Sequence, residues 1–133
     1  MTLIFCVDNN FGLMFNKRRQ SRDSAVIDDI KDSYGKIHIS AYSERLFSEA
    51  DIDYEVCEDF FNCDKNTICF VEDKYSSDLL SLADEVILYH WGRRYPADVN
   101  FDIALLSTDF TLAETSVFKG TSHNEIKKER YTR

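Results

Sequence analysis

Residues 2–12 read Thr-Leu-Ile-Phe-Cys-Val-Asp-Asn-Asn-Phe-Gly, and this stretch decides the fold. Its first six residues form a continuous apolar run, which is typical of a strand covered on both faces of a sheet. The runs at 67–71 and 85–91 have the same character, and helical patterns separate the three runs. Alternating strands and helices with short connections indicate an α/β domain with a mainly parallel central sheet.

Weaker patterns fill the rest of the chain. Between 23 and 34 apolar residues recur at helical spacing, and Gly35 follows where a left-handed C-terminal cap is expected. The tail alternates polar and apolar residues at 110–118 and 125–131, which predicts an antiparallel hairpin at the sheet edge. The other expected elements are strands at 36–40 and 54–57 and helices at 43–49 and 76–83.

The composition fits a single domain over residues 1–133. A hydrophobic fraction of 44% can fill a core and is not that of a disordered chain. No apolar run approaches the ~18–20 residues of a membrane span. Asp8, Asn9 and Asn10 also interrupt the apolar start of the chain, whereas a signal peptide needs a longer apolar centre. We therefore expect a cytoplasmic protein that does not contact membranes.

Cysteine and histidine spacing gives no metal motif. Cys6, Cys57, Cys63 and Cys69 contain no Cys-x-x-Cys pair, and the three histidines are scattered along the chain. A zinc site needs closer ligand spacing than this, so no metal is expected. The pattern favours free thiols in a reducing compartment.

The net charge of −8 is concentrated in one part of the chain. Residues 28–74 contain thirteen acidic and five basic residues, which accounts for a charge of −8 in that stretch alone. Such a surface repels phosphate backbones, so nucleic-acid binding is not expected. Two interpretations stay open, namely solubility and the docking of a basic protein partner.

Residues 10–23, which follow the first apolar run, are basic in an otherwise acidic chain. The stretch carries one carboxylate and four cations, Lys17, Arg18, Arg19 and Arg22. Loops at the ends of early strands commonly bind ligands in α/β proteins, and guanidinium groups suit carboxylate or phosphate. We expect a small anionic ligand held by Arg22, by Arg18 or Arg19, and by Asn16. Alternatively, these cations neutralise the acidic face of the following helix.

Several segments together resemble dihydrofolate reductase. Residues 3–12 are similar to that family's first strand, with its Val-Asp-x-x-x-Gly exit and mobile loop. Residues 68–75 and 79–88 are similar to the family's later strand, turn, helix and next strand, and agreement continues through 95–101 and the final hairpin. The resemblance covers nearly the whole chain. It implies a three-layer dihydrofolate-reductase-like fold with a mainly parallel central sheet and a C-terminal antiparallel hairpin.

The departures from that family fall on its cofactor side. Glu72 and Asp73 stand where paired glycines let the backbone approach the dinucleotide phosphates. The family's Gly-Arg-x-Thr has become Ser-Ala-Tyr-Ser at 40–43, and the region 46–67 looks short for an adenosine wall. We therefore expect that the NADPH site is lost and that no cofactor is bound.

On the substrate side, the resemblance implies a catalytic acid at Asp23, the family's acidic residue at the start of its first long helix. The alternative is that Asp23 is a helix N-cap, which would keep the carboxylate ionised and make it a poor proton donor. Tyr89 matches the threonine that steadies the acid, so it is placed among the ligand-binding residues. For His38, His90, His123 and Trp91 we expect structural or solvent-exposed positions, although Trp91 and His90 could line the same cleft.

Three functions remain after these steps. The first is a small-molecule binding protein, for an anionic nucleotide- or pterin-like ligand, on a degenerate dihydrofolate-reductase-like fold. The second is an acidic protein-binding module of the immunity or inhibitor type, docking through 44–73. The third is a reductase with altered cofactor use. The sequence does not decide whether the protein is an enzyme.

Overall fold

The computed structural model describes residues 1–133 and contains ten strands and three α-helices. The strands are β1 Thr2–Val7, β2 Gly12–Phe15, β3 Arg18–Arg19, β4 Ile37–Ile39, β5 Tyr54–Val56, β6 Ile68–Phe70, β7 Glu85–His90, β8 Val99–Asn100, β9 Thr111–Phe118 and β10 Ile126–Thr132. The helices are α1 Ser24–Ser33, α2 Glu44–Phe47 and α3 Ile103–Asp109, with 3-10 turns at Ala41–Ser43, Phe60–Asn62 and Ser77–Leu82.

The central sheet has seven strands in the order β5-β4-β6-β1-β7-β10-β9. β1 lies in its middle, with β6 and β7 parallel on either side, so that Leu3 is opposite both Cys69 and Val86. β10 pairs antiparallel with β7 and with β9. The predicted mainly parallel sheet with a closing antiparallel hairpin is therefore confirmed.

Both faces of β1 are buried, as its apolar run predicts. Leu3 and Phe5 pack into one core cluster with α3, while Ile4 packs into the other with α1. α1 presents Val26, Ile27 and Ile30 to the sheet, which explains the helical spacing of these apolar residues. None of the helices is both long enough and apolar enough to span a bilayer.

Some local predictions are wrong. α1 ends at Tyr34, whose φ of −131° is extended, and Gly35 does not adopt the left-handed conformation expected of a cap. The segment 43–49 forms an α-helix only over Glu44–Phe47, without a serine side-chain cap. The helix expected at 76–83 is present as a 3-10 helix over Ser77–Leu82. The two departures lie at the ends of helices, where tertiary contacts outweigh weak local preferences.

Within the basic stretch, the chain forms a β-hairpin that we did not predict. β2 pairs with β3, and on its other side with β8, to make a separate three-stranded sheet. Asn16 and Lys17 form the turn with φ values of 50° and 61°. Positive φ at both central residues is the conformation that matches the twist of a two-residue hairpin. The hairpin lies beside the end of β1, which leads into it.

Candidate functional site

The carboxyl ends of β6, β1 and β7 form a cleft beneath this hairpin. Two small cavities there share four lining residues, Cys6, Ser21, Glu72 and Trp91. Each has a volume of about 10 Å³, which corresponds to about one water molecule. In parallel α/β sheets this edge is the usual position of ligand sites. The hairpin thus closes the cleft and leaves only small spaces inside it.

A buried carboxylate holds the base of the hairpin. Asp8 accepts hydrogen bonds from the backbone N–H groups of Gly12 at 2.8 Å and Tyr95 at 3.0 Å, and from Gln20 Nε2 at 3.2 Å. Burial alone would raise the pKa of Asp8, but these N–H donors outweigh it and lower the pKa below its ordinary value. At Gly12 a Cβ would lie 2.6 Å from Ala97 Cβ, so only glycine fits this close approach.

An ion pair holds the outer part of the hairpin against the sheet. Arg19 Nε and Nη2 donate to the Glu72 carboxylate at 2.8 and 2.9 Å, and Ser43 Oγ donates to it at 2.8 Å. The guanidinium also lies over the Tyr42 ring, 4.7 Å from its centroid. The hydrogen bonds that Arg19 donates to Glu72 raise the pKa of Arg19. This bidentate geometry fixes the hairpin across the cleft.

Glu72 therefore does not stand as a free charge at the end of β6, because Arg19 neutralises it. Its neighbour Asp73 accepts a hydrogen bond from Ser40 Oγ at 2.7 Å. The segments 40–43 and 72–73, which correspond to phosphate-binding segments in the resemblance above, are thus tied to each other by side chains of this chain.

Asp23 is the most fully hydrogen-bonded group in the cleft. Its Oδ1 accepts from Ala25 N, Thr121 N and Thr121 Oγ1 at 2.8–2.9 Å. Its Oδ2 accepts from Ser122 N, His123 N and His123 Nδ1 at 2.9–3.0 Å. Asp23 therefore caps α1 and also anchors the turn between β9 and β10.

These bonds determine the protonation state of Asp23. Burial acts to raise the pKa of this carboxyl group, but hydrogen bonds from Thr121, His123 and Ala25 outweigh it and hold the pKa well below its ordinary value. The group is consequently ionised at neutral pH, which suits a positioning carboxylate better than a proton donor.

His123 is buried, so the solvated position expected for it is wrong. It is 3% exposed, and its Nδ1 faces Asp23. Its Nε2 lies 3.1 Å from Ser21 Oγ and 2.9 Å from Tyr95 Oη. The imidazole stacks on Trp91 with a centroid distance of 4.7 Å and an interplanar angle of 21°. The structure thus places a carboxylate, an imidazole and two hydroxyls in one contiguous network.

The other residues expected at the site are spread over three places. Asn16 and Arg18 are exposed at the hairpin turn. Arg22 is exposed and lines one of the two cavities, without an ion-pair partner within 4.0 Å. Tyr89 lies on the α1 side, where its hydroxyl donates to Asp29 Oδ2 at 2.6 Å rather than to Asp23.

Two side chains of the site, Tyr95 and His123, are not expected there from the sequence. Trp91 does line the cleft, whereas His90 is hydrogen-bonded to Glu129 and lines an outer groove. Tyr95 and His123 reach the site from two different segments that follow β7 and β9. Their sequence context gave no signal of this, since each stands alone among turn residues.

Comparison with known proteins agrees with the architecture. No family model matches the sequence, and no curated protein matches it. In structure, the chain is similar to dihydrofolate reductase from Enterococcus faecalis, solved in complex with NADP(H) and RAB-propyl, with a TM-score of 0.65. The two sequences are 11% identical, and the match covers 99% of this chain and 95% of that chain. The protein therefore has a dihydrofolate-reductase-like α/β fold with a widely divergent sequence.

Proposed function

We propose that this protein binds a small anionic molecule, nucleotide- or pterin-like in chemistry, in the cleft beneath the β2–β3 hairpin, and that it does not use NADPH. The observation that carries the proposal is Arg22, a cation without an ionic partner at a cleft lined by apolar and aromatic side chains. A guanidinium beside an apolar wall suits a planar ring that carries a carboxylate or phosphate.

An unpaired buried acceptor supports a ligand or water in the same cleft. Gln20 lines one of the two cavities, and its Oε1 is buried with no hydrogen-bond partner. Its Nε2 is already used by Asp8 and by the carbonyl of Pro96. Buried acceptors are rarely left unpaired, so a donor from a bound molecule would satisfy this oxygen.

Loss of the NADPH site is supported by the closed segments at 40–43 and 72–73. A dinucleotide phosphate at the end of β6 would meet the carboxylates of Glu72 and Asp73, both engaged with neighbouring side chains. Displacing Arg19 from Glu72 to make room would leave a carboxylate of 10% exposure without its cation, which is unfavourable.

Ligand entry requires the hairpin to move, because the cavities are only about 10 Å³ each in the closed form. The Arg19–Glu72 pair is the contact that would have to open. Opening this pair leaves Glu72 without its cation, so a bound ligand has to offset that cost through its contacts with Arg22 and the apolar wall; Asn16 and Arg18 are carried on the same moving element.

Thermal unfolding with a panel of nucleotides, dihydrofolate and inorganic phosphate tests this proposal. We expect a saturable rise in Tm for at least one compound, lost in Arg22→Ala, whose Tm without ligand should match that of the parent. Arg45→Ala, which removes an exposed arginine on α2, is the matched control and should retain the shift. An equal shift in Arg22→Ala rejects the assignment, and saturable NADPH binding by calorimetry rejects the loss of the cofactor site.

A second candidate, binding of a basic protein partner, is favoured by exposed apolar side chains within the acidic surface. Val56 and Phe61 are 41% and 49% exposed, next to acidic Glu55, Glu58 and Asp59. Apolar residues ringed by charge are typical of interaction surfaces. A partner recovered from the host lysate at low salt should be lost at high salt and in Phe61→Ser, and its persistence in both would exclude this surface.

A further inference from the structure

Three side chains of the cleft are arranged in series. The Asp23 carboxylate lies 3.0 Å from His123 Nδ1, and His123 Nε2 lies 3.1 Å from Ser21 Oγ. The order carboxylate, imidazole, hydroxyl is that in which serine nucleophiles are activated on several unrelated folds. The three residues lie at the start of α1 and in the turn before β10, so the fold brings them together from opposite ends of the chain.

The imidazole is fixed in the orientation and tautomer that this chemistry needs. Asp23 Oδ2 can only accept while it is ionised, so Nδ1 carries the hydrogen and Nε2 is the acceptor facing Ser21. Asp23 also accepts from the backbone N–H of His123 at 3.0 Å, so one carboxylate positions both the backbone and the ring. Stacking on Trp91 prevents the ring from turning.

Ser21 lies beside backbone donors that could hold an oxyanion, and opening of the hairpin would make room for an acyl group. Ser21 is half-buried and lines both small cavities. The backbone N–H groups of Ser21 and Arg22 donate to no oxygen of the chain. The N–H groups of a nucleophile and of the residue after it are common oxyanion donors in serine hydrolases.

We propose that Ser21, His123 and Asp23 form a hydrolytic site for esters of small, negatively charged acyl groups. Ser21 Oγ attacks the carbonyl carbon while its proton passes to His123 Nε2. The C–O bond to the leaving alcohol breaks, and the alcohol takes that proton. Water then attacks the acyl group on Ser21 by the same proton route, which releases the acid and restores Ser21. Asp23 is a positioning residue that stays ionised throughout.

The size and charge of the cleft define the substrate class. Each space beside Ser21 holds about one water molecule in the closed form, so an acyl group enters only when the hairpin opens, and the narrow cleft favours a small one. Arg22 follows Ser21 directly, lines one of the two cavities and has no ion-pair partner, so it would bind a carboxylate or phosphate on the substrate. Tyr95, whose hydroxyl lies 3.4 Å from Ser21 Oγ and 2.9 Å from Nε2, competes with Ser21 for the imidazole in the resting protein.

Covalent labelling with a fluorophosphonate probe tests the proposal directly. We expect one adduct per wild-type chain, with the modified peptide identifying Ser21, and no adduct in Ser21→Ala. His123→Gln should label at least about a hundredfold more slowly, because the base is lost. Ser107→Ala, which removes an exposed hydroxyl on α3, is the matched control and should label as the wild type does.

Hydrolysis of the p-nitrophenyl monoester of succinate, whose acyl group carries a carboxylate, gives a second measurement, expected to fall about a hundredfold or more in Ser21→Ala. Wild-type protein that stays unlabelled, or labelling that persists in Ser21→Ala, overturns the proposal. If His123→Gln does not fold, the wild type and Ser21→Ala decide the question between them. The charge of the acyl group rests on the anion-binding role proposed for Arg22, whereas labelling of Ser21 does not, so failure of the Tm shift and failure of the labelling are separate outcomes.

Discussion

Replacing Asp23 by asparagine should destabilise the protein by about 3–5 kcal/mol, the range for breaking a buried charged interaction. The carboxylate has an exposed fraction of 0% and receives six hydrogen bonds. An asparagine oxygen could replace Oδ1, but its NH₂ group would then face the three donors on Oδ2. His123 can change tautomer and accept, which leaves the N–H groups of Ser122 and His123 unpaired, at about 1–3 kcal/mol each.

Urea unfolding followed by far-ultraviolet circular dichroism at pH 7 measures this loss. For a chain of this length the corresponding fall in Tm is about 10–20 °C. The matched control is Asp51→Asn, a carboxylate whose side chain is fully exposed, 3.6 Å from Lys31 Nζ; we expect no measurable change. A loss below about 1 kcal/mol for Asp23→Asn would refute the view that Asp23 anchors the turn before β10.

The pH dependence gives an independent check. Because folding lowers the pKa of Asp23, its contribution is fully present above the unfolded-state pKa of about 3.9 and is lost as the pH falls toward the folded-state value. Asp23→Asn lacks this contribution at every pH. The difference in stability between wild type and variant should therefore narrow as the pH falls from about 5 to 2. A constant difference over that range contradicts the assignment.

Two further predictions concern other contacts. A double-mutant cycle of Arg19→Met and Glu72→Gln should give a coupling free energy of about 1–2 kcal/mol, because both side chains are mostly buried. A value near zero would contradict the view that this ion pair holds the hairpin against the sheet. Diamide should oxidise Cys57 and Cys63, whose sulfur atoms lie 3.2 Å apart, to an intrachain disulfide. That reaction should be slow at pH 7, because burial raises the pKa of the Cys63 thiol to about 12, and rapid alkylation of Cys63 at pH 7 would contradict this.

Part of the candidate site could be predicted from the sequence. The basic stretch 10–23 does lie at the carboxyl end of β1, because a strand's direction fixes where its following loop starts. Asp23 was recognised as a candidate helix cap from its position before an apolar helical pattern, and it does cap α1. The contacts of Arg18 and Arg19 could not be distinguished from the sequence. They depend on which face of β3 each side chain occupies, and β3 was not predicted.

The sequence alone predicted the central strands β1, β6 and β7, because a continuous apolar run is a local property that records the burial of both faces of a strand. The alternation in β9 does not record a buried face, since that strand is exposed almost throughout. The partners of the charged and polar groups were decided only by the tertiary structure. Arg19 and Glu72 are in contact although they are 53 residues apart in the sequence, and Asp23 and His123 are 100 residues apart. Such pairs depend on the order of strands within the sheet, and short-range patterns do not encode that order.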